Sequence, residues 1–284
     1  MILNRIPIIL VCTFAAILCG LGTSQAHGQT LGITPALVDA KVKRGATYSQ
    51  AFTISNNTGA RLRLRCSVSD FWYGEHNERI DALPGTQPRS ASTWVQFSPA
   101  EQVIEPNSSA VVNAVITIPQ TAAGGYYTVP IFETEAADAT LAATIGKTAT
   151  AAVMIRFRGL LLLTTEDATE YNLEVMNGRI TPPTSSSELR MELDLRNRST
   201  AHIRVHGMFA IVDPAGKLAG RGKVEEKRYL PGQRDTLKAD WAGQLAPGRY
   251  TTIVTLTYDR AGMSPATLVY ELPLEVNRRS PLQK

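Results

Sequence analysis

Cysteine is nearly absent from this chain. Of its three cysteines, Cys12 and Cys19 fall in the first twenty residues and only Cys66 lies beyond them. One thiol cannot build an intramolecular disulfide framework, so the fold must rest on its core. Cys66 alternates with Leu62, Leu64 and Val68 and reads as a small core hydrophobe. Long apolar runs are also lacking after Leu21. The longest later one, Leu160 to Leu163, is far too short to span a bilayer. Net charge is only +4, which excludes the strong basic field of a nucleic-acid binder. Helical periodicity is almost missing, and so are the recognised catalytic patterns: no Gly-x-Ser-x-Gly, no His-Glu-x-x-His and no calcium-loop spacing. Gly220-Arg221-Gly222 has no strand–turn–helix context and reads as a hairpin turn rather than a phosphate loop. His202 and His206 stand four apart. On a strand that separation is about 13 Å, too far to chelate one ion together. These absences point to a non-enzymatic protein with no cofactor and no metal.

Targeting information occupies the start. Arg5 precedes an apolar stretch from Ile6 to Leu21, and Ser24-Gln25-Ala26 is a small-x-small cleavage pattern. Residues 1–26 are therefore expected to be a signal peptide, leaving about 258 residues, enough for two ordinary domains.

The remainder is a succession of short alternating runs separated by turn residues, the signature of β-sandwiches. Expected strands of a first domain, 27–165, are Ile33 to Val42, Gln50 to Ser55, Arg61 to Phe71, Gln102 to Ile104, Ala110 to Ile118, Tyr126 to Glu133 and Lys147 to Leu163. The stretch from Tyr73 to Ser92 is expected to be a long surface loop with room for one short edge strand. A second domain, 166–278, offers about seven more strands, from Tyr171 to Val276, with a hairpin at Asp213-Pro214-Ala215-Gly216-Lys217. Residues 279–284 form a basic tail. The expected fold is all-β, two tandem immunoglobulin-like sandwiches.

Two arginine groups are candidates for recognition. Arg61, Arg63 and Arg65 share one face of a strand, opposite Leu62, Leu64 and Cys66. Like charges so placed repel, so acidic cross-strand partners or an anionic ligand should neutralise them. Arg156 and Arg158 share a face near the end of the last strand of the first domain, a place expected to lie beside a cleft at the domain junction. Three Asn-x-Ser/Thr sequons, at Asn56, Asn107 and Asn197, fall in expected turns.

Three segments carry a resemblance: Ala51-Phe-Thr-Ile-Ser-Asn-Asn57, Ile104-Glu-Pro-Asn-Ser-Ser-Ala-Val-Val112 and Val153-Met-Ile-Arg-Phe-Arg158. Together they resemble the N-terminal immunoglobulin-like domain of periplasmic pilus-assembly chaperones. The resemblance covers about 125 residues and is more specific for fold than for function. It implies a periplasmic location and donor-strand complementation, in which the last strand of that domain lends alternating hydrophobic residues to an incomplete pilin. It also implies a cleft Arg and Lys that grip the pilin carboxylate. The chain departs from this pattern. Thr34-Pro35 stands where the cleft Arg is expected, and the cleft Lys has no clear match, Arg156 being the nearest cation. The lending stretch reads Leu141, Ala143, Ile145, Lys147, Ala149, Ala151, leaving Leu141 and Ile145 as its anchors. The block from Trp94 to Glu133 also resembles immunoglobulin-like domains of Gram-positive surface proteins that bind peptidoglycan. Two readings therefore stand. In the first, a chaperone-like protein binds a protein partner through Leu141, Ile145, Arg156 and Arg158. In the second, an envelope protein binds glycan or peptidoglycan through the Arg61, Arg63, Arg65 face and the aromatics Trp72, Tyr73 and Trp94.

Overall fold

The structure is a computed structural model, and it describes residues 31–137, 154–184 and 186–277. The signal segment, Leu141, Ile145 and the basic tail lie outside the described residues. Those described form two β-sandwiches in tandem.

The first sandwich contains β1 (Leu31–Thr34), β2 (Leu37–Val42), β3 (Thr47–Asn56), β4 (Leu62–Tyr73), β5 (Arg79–Ala82) and β6 (Val95–Ser98). It continues with β7 (Glu101–Ile104), β8 (Ser108–Thr117), β9 (Gly125–Ala136), β10 (Ile155–Arg158) and β11 (Leu160–Thr165). One sheet runs β1-β3-β8-β6. The other runs β2-β11-β9-β4-β5, with β10 also on β9 and β7 also on β4. Residues of one parity face inward, as the pleat requires. Phe52, Ile54, Leu64, Val112, Ile116, Phe132, Leu161 and Leu163 fill the space between the sheets, all fully buried.

Two sequence-read strands are each divided. The stretch from Ile33 to Val42 breaks at Pro35, which has no N–H to extend a ladder. β1 pairs with β3 in one sheet, and β2 pairs in parallel with β11 in the other. The last strand breaks at Gly159, so β10 and β11 both pair with β9 but at opposite ends.

The second sandwich packs β12 (Leu173–Thr181), β13 (Leu189–Asn197) and β16 (Arg234–Trp241) against a sheet of order β15-β14-β17-β18. The strands of that sheet are β14 (Ile203–Val212), β15 (Leu218–Tyr229), β17 (Gly248–Arg260) and β18 (Met263–Val276). Met191, Leu193, Leu195, Phe209, Val254 and Leu256 lie at its centre. The β14–β15 hairpin turns at Asp213–Lys217, where the Asp213 carboxylate accepts from the N–H groups of Ala215 and Lys217. Gly220 and Gly222 are not a turn, contrary to the sequence reading. They lie within β15 against Trp241 and Phe209, where a Cβ would come within 2.6 Å of each ring.

A third apolar cluster covers the outer face of the β2-β11-β9-β4-β5 sheet at its junction end. Phe71, Tyr127, Val129, Ile131 and Leu162 of the first sandwich meet Leu230 of the second there. Three polar contacts flank it. Gly125 donates its N–H to the Thr200 carbonyl at 2.9 Å. Gln233 donates to Asn77 at 2.6 Å. His202 Nε2 lies 3.0 and 3.1 Å from the two oxygens of Asp39.

Candidate functional site

β9 explains where the charged groups stand. Its outward residues read Tyr127, Val129, Ile131, Glu133, Glu135. They are apolar where the second sandwich and the β4–β5 hairpin cover the sheet, and acidic where that cover ends. β4 changes in step, from Phe71 at the covered end to Arg65 and Arg63 at the open end, with Arg61 just before the strand.

At the open end Arg63 and Arg65 of β4 and Arg61 just before it all meet acids. Arg61 Nε lies 3.1 Å from Glu105 and Arg65 Nε lies 2.9 Å from Glu101. Arg63 is 3.8 Å from Glu135. Arg156 donates through Nε to Glu133 at 2.6 Å. Arg156 and the Arg61, Arg63, Arg65 group thus lie on one exposed face, with Glu133 of β9 on Arg156 and Glu135 on Arg63. A shallow depression lies among Arg63, Arg65, Glu133, Glu135, Thr134 and Met154.

Arg158 behaves differently. It reaches across β9 and β4 to Asp81 of β5, with Nη1 and Nη2 each 2.7 Å from one carboxylate oxygen. The hydrogen bonds from Arg158, helped by the charges of Arg158 and Arg79, outweigh burial and hold the Asp81 carboxyl below its ordinary range.

The expected place beside the junction is corrected for Arg156, while Arg158 sits opposite Ile131 of the junction cluster. Gly125 marks the junction end of β9, and Arg156 sits opposite Glu133, eight residues farther along. That is roughly 27 Å of extended chain. The break at Gly159 is the cause, because β11 rather than β10 runs on to the second sandwich.

The aromatics of the glycan reading are occupied by packing. Trp94 lies 4.4 Å from Tyr126 between ring centroids, Trp72 lies 6.0 Å from Tyr127, and Tyr73 is edge-on to Phe71. His202 lies buried at the junction, and no group of three or more metal-ligating side chains occurs among the described residues. Cys66 is half-buried opposite Phe132, and burial pushes its thiol up to about 12.

One of the edge strands of the first sandwich is β10, beside the arginines. Among the described residues it has a strand on one side only, β9. Phe157 turns into the core, while Met154 and Ile155 are 58% and 40% exposed. A four-residue strand whose outer N–H and C=O groups lack a neighbouring strand, with apolar side chains at its start, is a template for strand addition. Sequence reasoning placed Arg156 and Arg158 here but did not single out Met154 or Ile155. The alternation of Ile155 and Phe157 with the arginines was the available signal.

Of the three segments behind the resemblance, the first runs along β3, the second spans the β7–β8 turn, and Ile155–Arg158 of the third form β10. No protein-family model matches the chain, and no curated protein matches it. Among solved structures it is similar to the class 5 fimbriae chaperone CfaA, with 12% identity over 86% of this chain and 100% of that one and a TM-score of 0.47. A chain of the CFA/I chaperone–tip adhesin complex shows 12% identity over 85% and 98%, with a TM-score of 0.46. The E. coli chaperone DraB shows 11% identity over 87% and 97%, with a TM-score of 0.44.

Proposed function

We propose that this is an exported, non-enzymatic chaperone-like protein that receives an extended segment of a protein partner along the free edge of β10. Residues 27–165 form its binding domain and residues 166–278 a second domain that braces it, and it works in the periplasm. The observation that carries the reading is β10 itself, laddered on one side among the described residues and bordered by exposed Met154 and Ile155. Main-chain hydrogen bonds would give affinity there, and alternate side chains would give selectivity. The sequence resemblance supplies the partner class, a pilus or surface subunit with an incomplete sheet.

Ile155→Asp tests this. The substitution leaves the β9 ladder intact but places a charge on the apolar face of the edge. Wild-type chain should retain a small β-rich subunit from its own envelope extract, and hydrogen exchange on the complex should slow at 155–158. Retention unchanged by Ile155→Asp, or protection confined to other strands, would overturn the proposal.

A further inference from the structure

The outer face at the open end of the first sandwich alternates in charge from strand to strand. β7 contributes Glu101, β4 contributes Arg65, β9 contributes Glu133 and β10 contributes Arg156. These four stand in one straight row, since Glu101 is registered on Arg65, Arg65 on Glu133, and Glu133 on Arg156. Each charge meets the opposite sign on the neighbouring strand. Glu133, between two arginines, is the most covered of the four at 21% exposed. Arg156 ends the row. It is 57% exposed and, among the described residues, has an acid on one side only.

A strand added to β10 would continue this row. Its residue beside Arg156 would sit at cross-strand distance from a guanidinium, where opposite charges attract and like charges repel. The next outward position of β10, Arg158, is committed to Asp81, so the selective position is Arg156. On the other face of the incoming strand the neighbours are Ile155 and Phe157, which favour apolar side chains.

We propose that the segment received by β10 carries a carboxylate side chain opposite Arg156, within an otherwise alternating apolar strand. This rests on the edge reading above and adds the chemistry of the partner to it. The acid completes a five-membered row, acidic and basic in turn, whose last member comes from another molecule.

The probes are dye-labelled synthetic peptides of alternating valine and threonine, in which one central threonine is replaced by glutamate, glutamine or lysine. Binding to the full chain is read by fluorescence anisotropy. Glutamate should bind tightest and lysine weakest, with about a three- to tenfold spread that narrows as salt is raised. Arg156→Glu should invert the order, and Arg156→Gln should flatten it. Equal binding of all three peptides would overturn the carboxylate while leaving the edge reading in place. Binding of none, or slow exchange of the β10 edge amides in the isolated chain, would overturn both.

Discussion

Asn56 and Asn197 do the same work in the two sandwiches. Both are fully buried at the end of a strand. The Asn56 amide donates to the carbonyls of Ala60, four residues on, and of Glu105 and Ile104 across the turn, at 2.8, 3.0 and 3.3 Å. The Asn197 amide donates to Ala201, again four residues on, and to Tyr229, both at 2.9 Å. Each side-chain oxygen accepts the N–H two residues later, from Thr58 and from Ser199. The opposing turns match as well. Ile104-Glu105-Pro106-Asn107 and Tyr229-Leu230-Pro231-Gly232 each place a left-handed residue fourth, Asn107 at φ 52° and Gly232 at φ 78°. The two sandwiches share a corner that overall sequence comparison between them does not reveal.

Replacing either asparagine orphans two or more buried carbonyls. Asn56→Ala and Asn197→Ala should each cost about 2–3 kcal/mol, read as a lowered urea midpoint. Asn→Asp should do no better, since it offers an acceptor where a donor is needed. The same burial closes two of the three sequons to modification, leaving Asn107 as the exposed one.

Asp70 makes a second prediction. Its carboxylate is fully buried on β4 and gathers the loop that follows β5. One oxygen accepts the N–H groups of Thr86 and Gln87 at 2.9 and 3.0 Å. The other accepts the hydroxyls of Ser90, at 2.6 Å, and of Ser92. Asp70→Ala leaves four donors without their acceptor and should cost about 3 kcal/mol or more. Limited proteolysis should then cut within 83–92 while the sandwich strands stay resistant. Unchanged protease resistance of the loop would count against this role.

Arg158 and Asp81 tie β10 to β5 across two intervening strands. The pair is bidentate but open to water, with side chains 36% and 47% exposed. A double-mutant cycle with Arg158→Ala and Asp81→Ala should give a coupling of about 0.5–1 kcal/mol, weakened by salt. The Asp81 pKa is lowered in the fold, so its contribution is present above the unfolded value of about 3.9 and is lost as pH falls through the folded value. A coupling that persists in strong acid would contradict the assignment.

The alternating strands were legible because their side chains repeat every two residues and Gly, Pro, Asn and Asp mark their ends. Arg61, Arg63 and Arg65 were legible as a charged face for the same reason. Their acids were not, because Glu101, Glu105 and Glu135 lie on segments far away in sequence and reach the arginines only through sheet register. Asp70 carried no local signal, being one acid in an otherwise ordinary strand. Asn56 and Asn197 did carry one, Asn-x-Thr/Ser at a strand end, but the same pattern spells a sequon and was read that way. The junction was hidden because the break at Gly159 moves it from β10 to β11, and a lone glycine in a strand pattern announces a bulge without saying which half turns toward the neighbour.

The contact between Asp39 and His202 yields the last prediction. Asp39 lies on the outward face of β2, and His202, only 6% exposed, precedes β14 and packs edge-on against Tyr127. Arg228 lies 3.7 Å from the same carboxylate. Burial alone would raise the Asp39 pKa, but the His202 hydrogen bond and the charges of His202, Arg228 and Arg204 together hold it below its ordinary value. A depressed carboxyl stabilises above its unfolded value of about 3.9, and that stabilisation disappears as pH falls through the folded value. Asp39 is 44% exposed, so screening limits the effect to about 1 kcal/mol or less. Asp39→Asn should lower the melting temperature at neutral pH, with the gap to wild type closing in acid. Small-angle scattering should show the two sandwiches moving more freely in Asp39→Asn and in His202→Ala. A melting difference that stayed constant from neutral pH down to strong acid would show that the carboxylate charge does not hold the two sandwiches together.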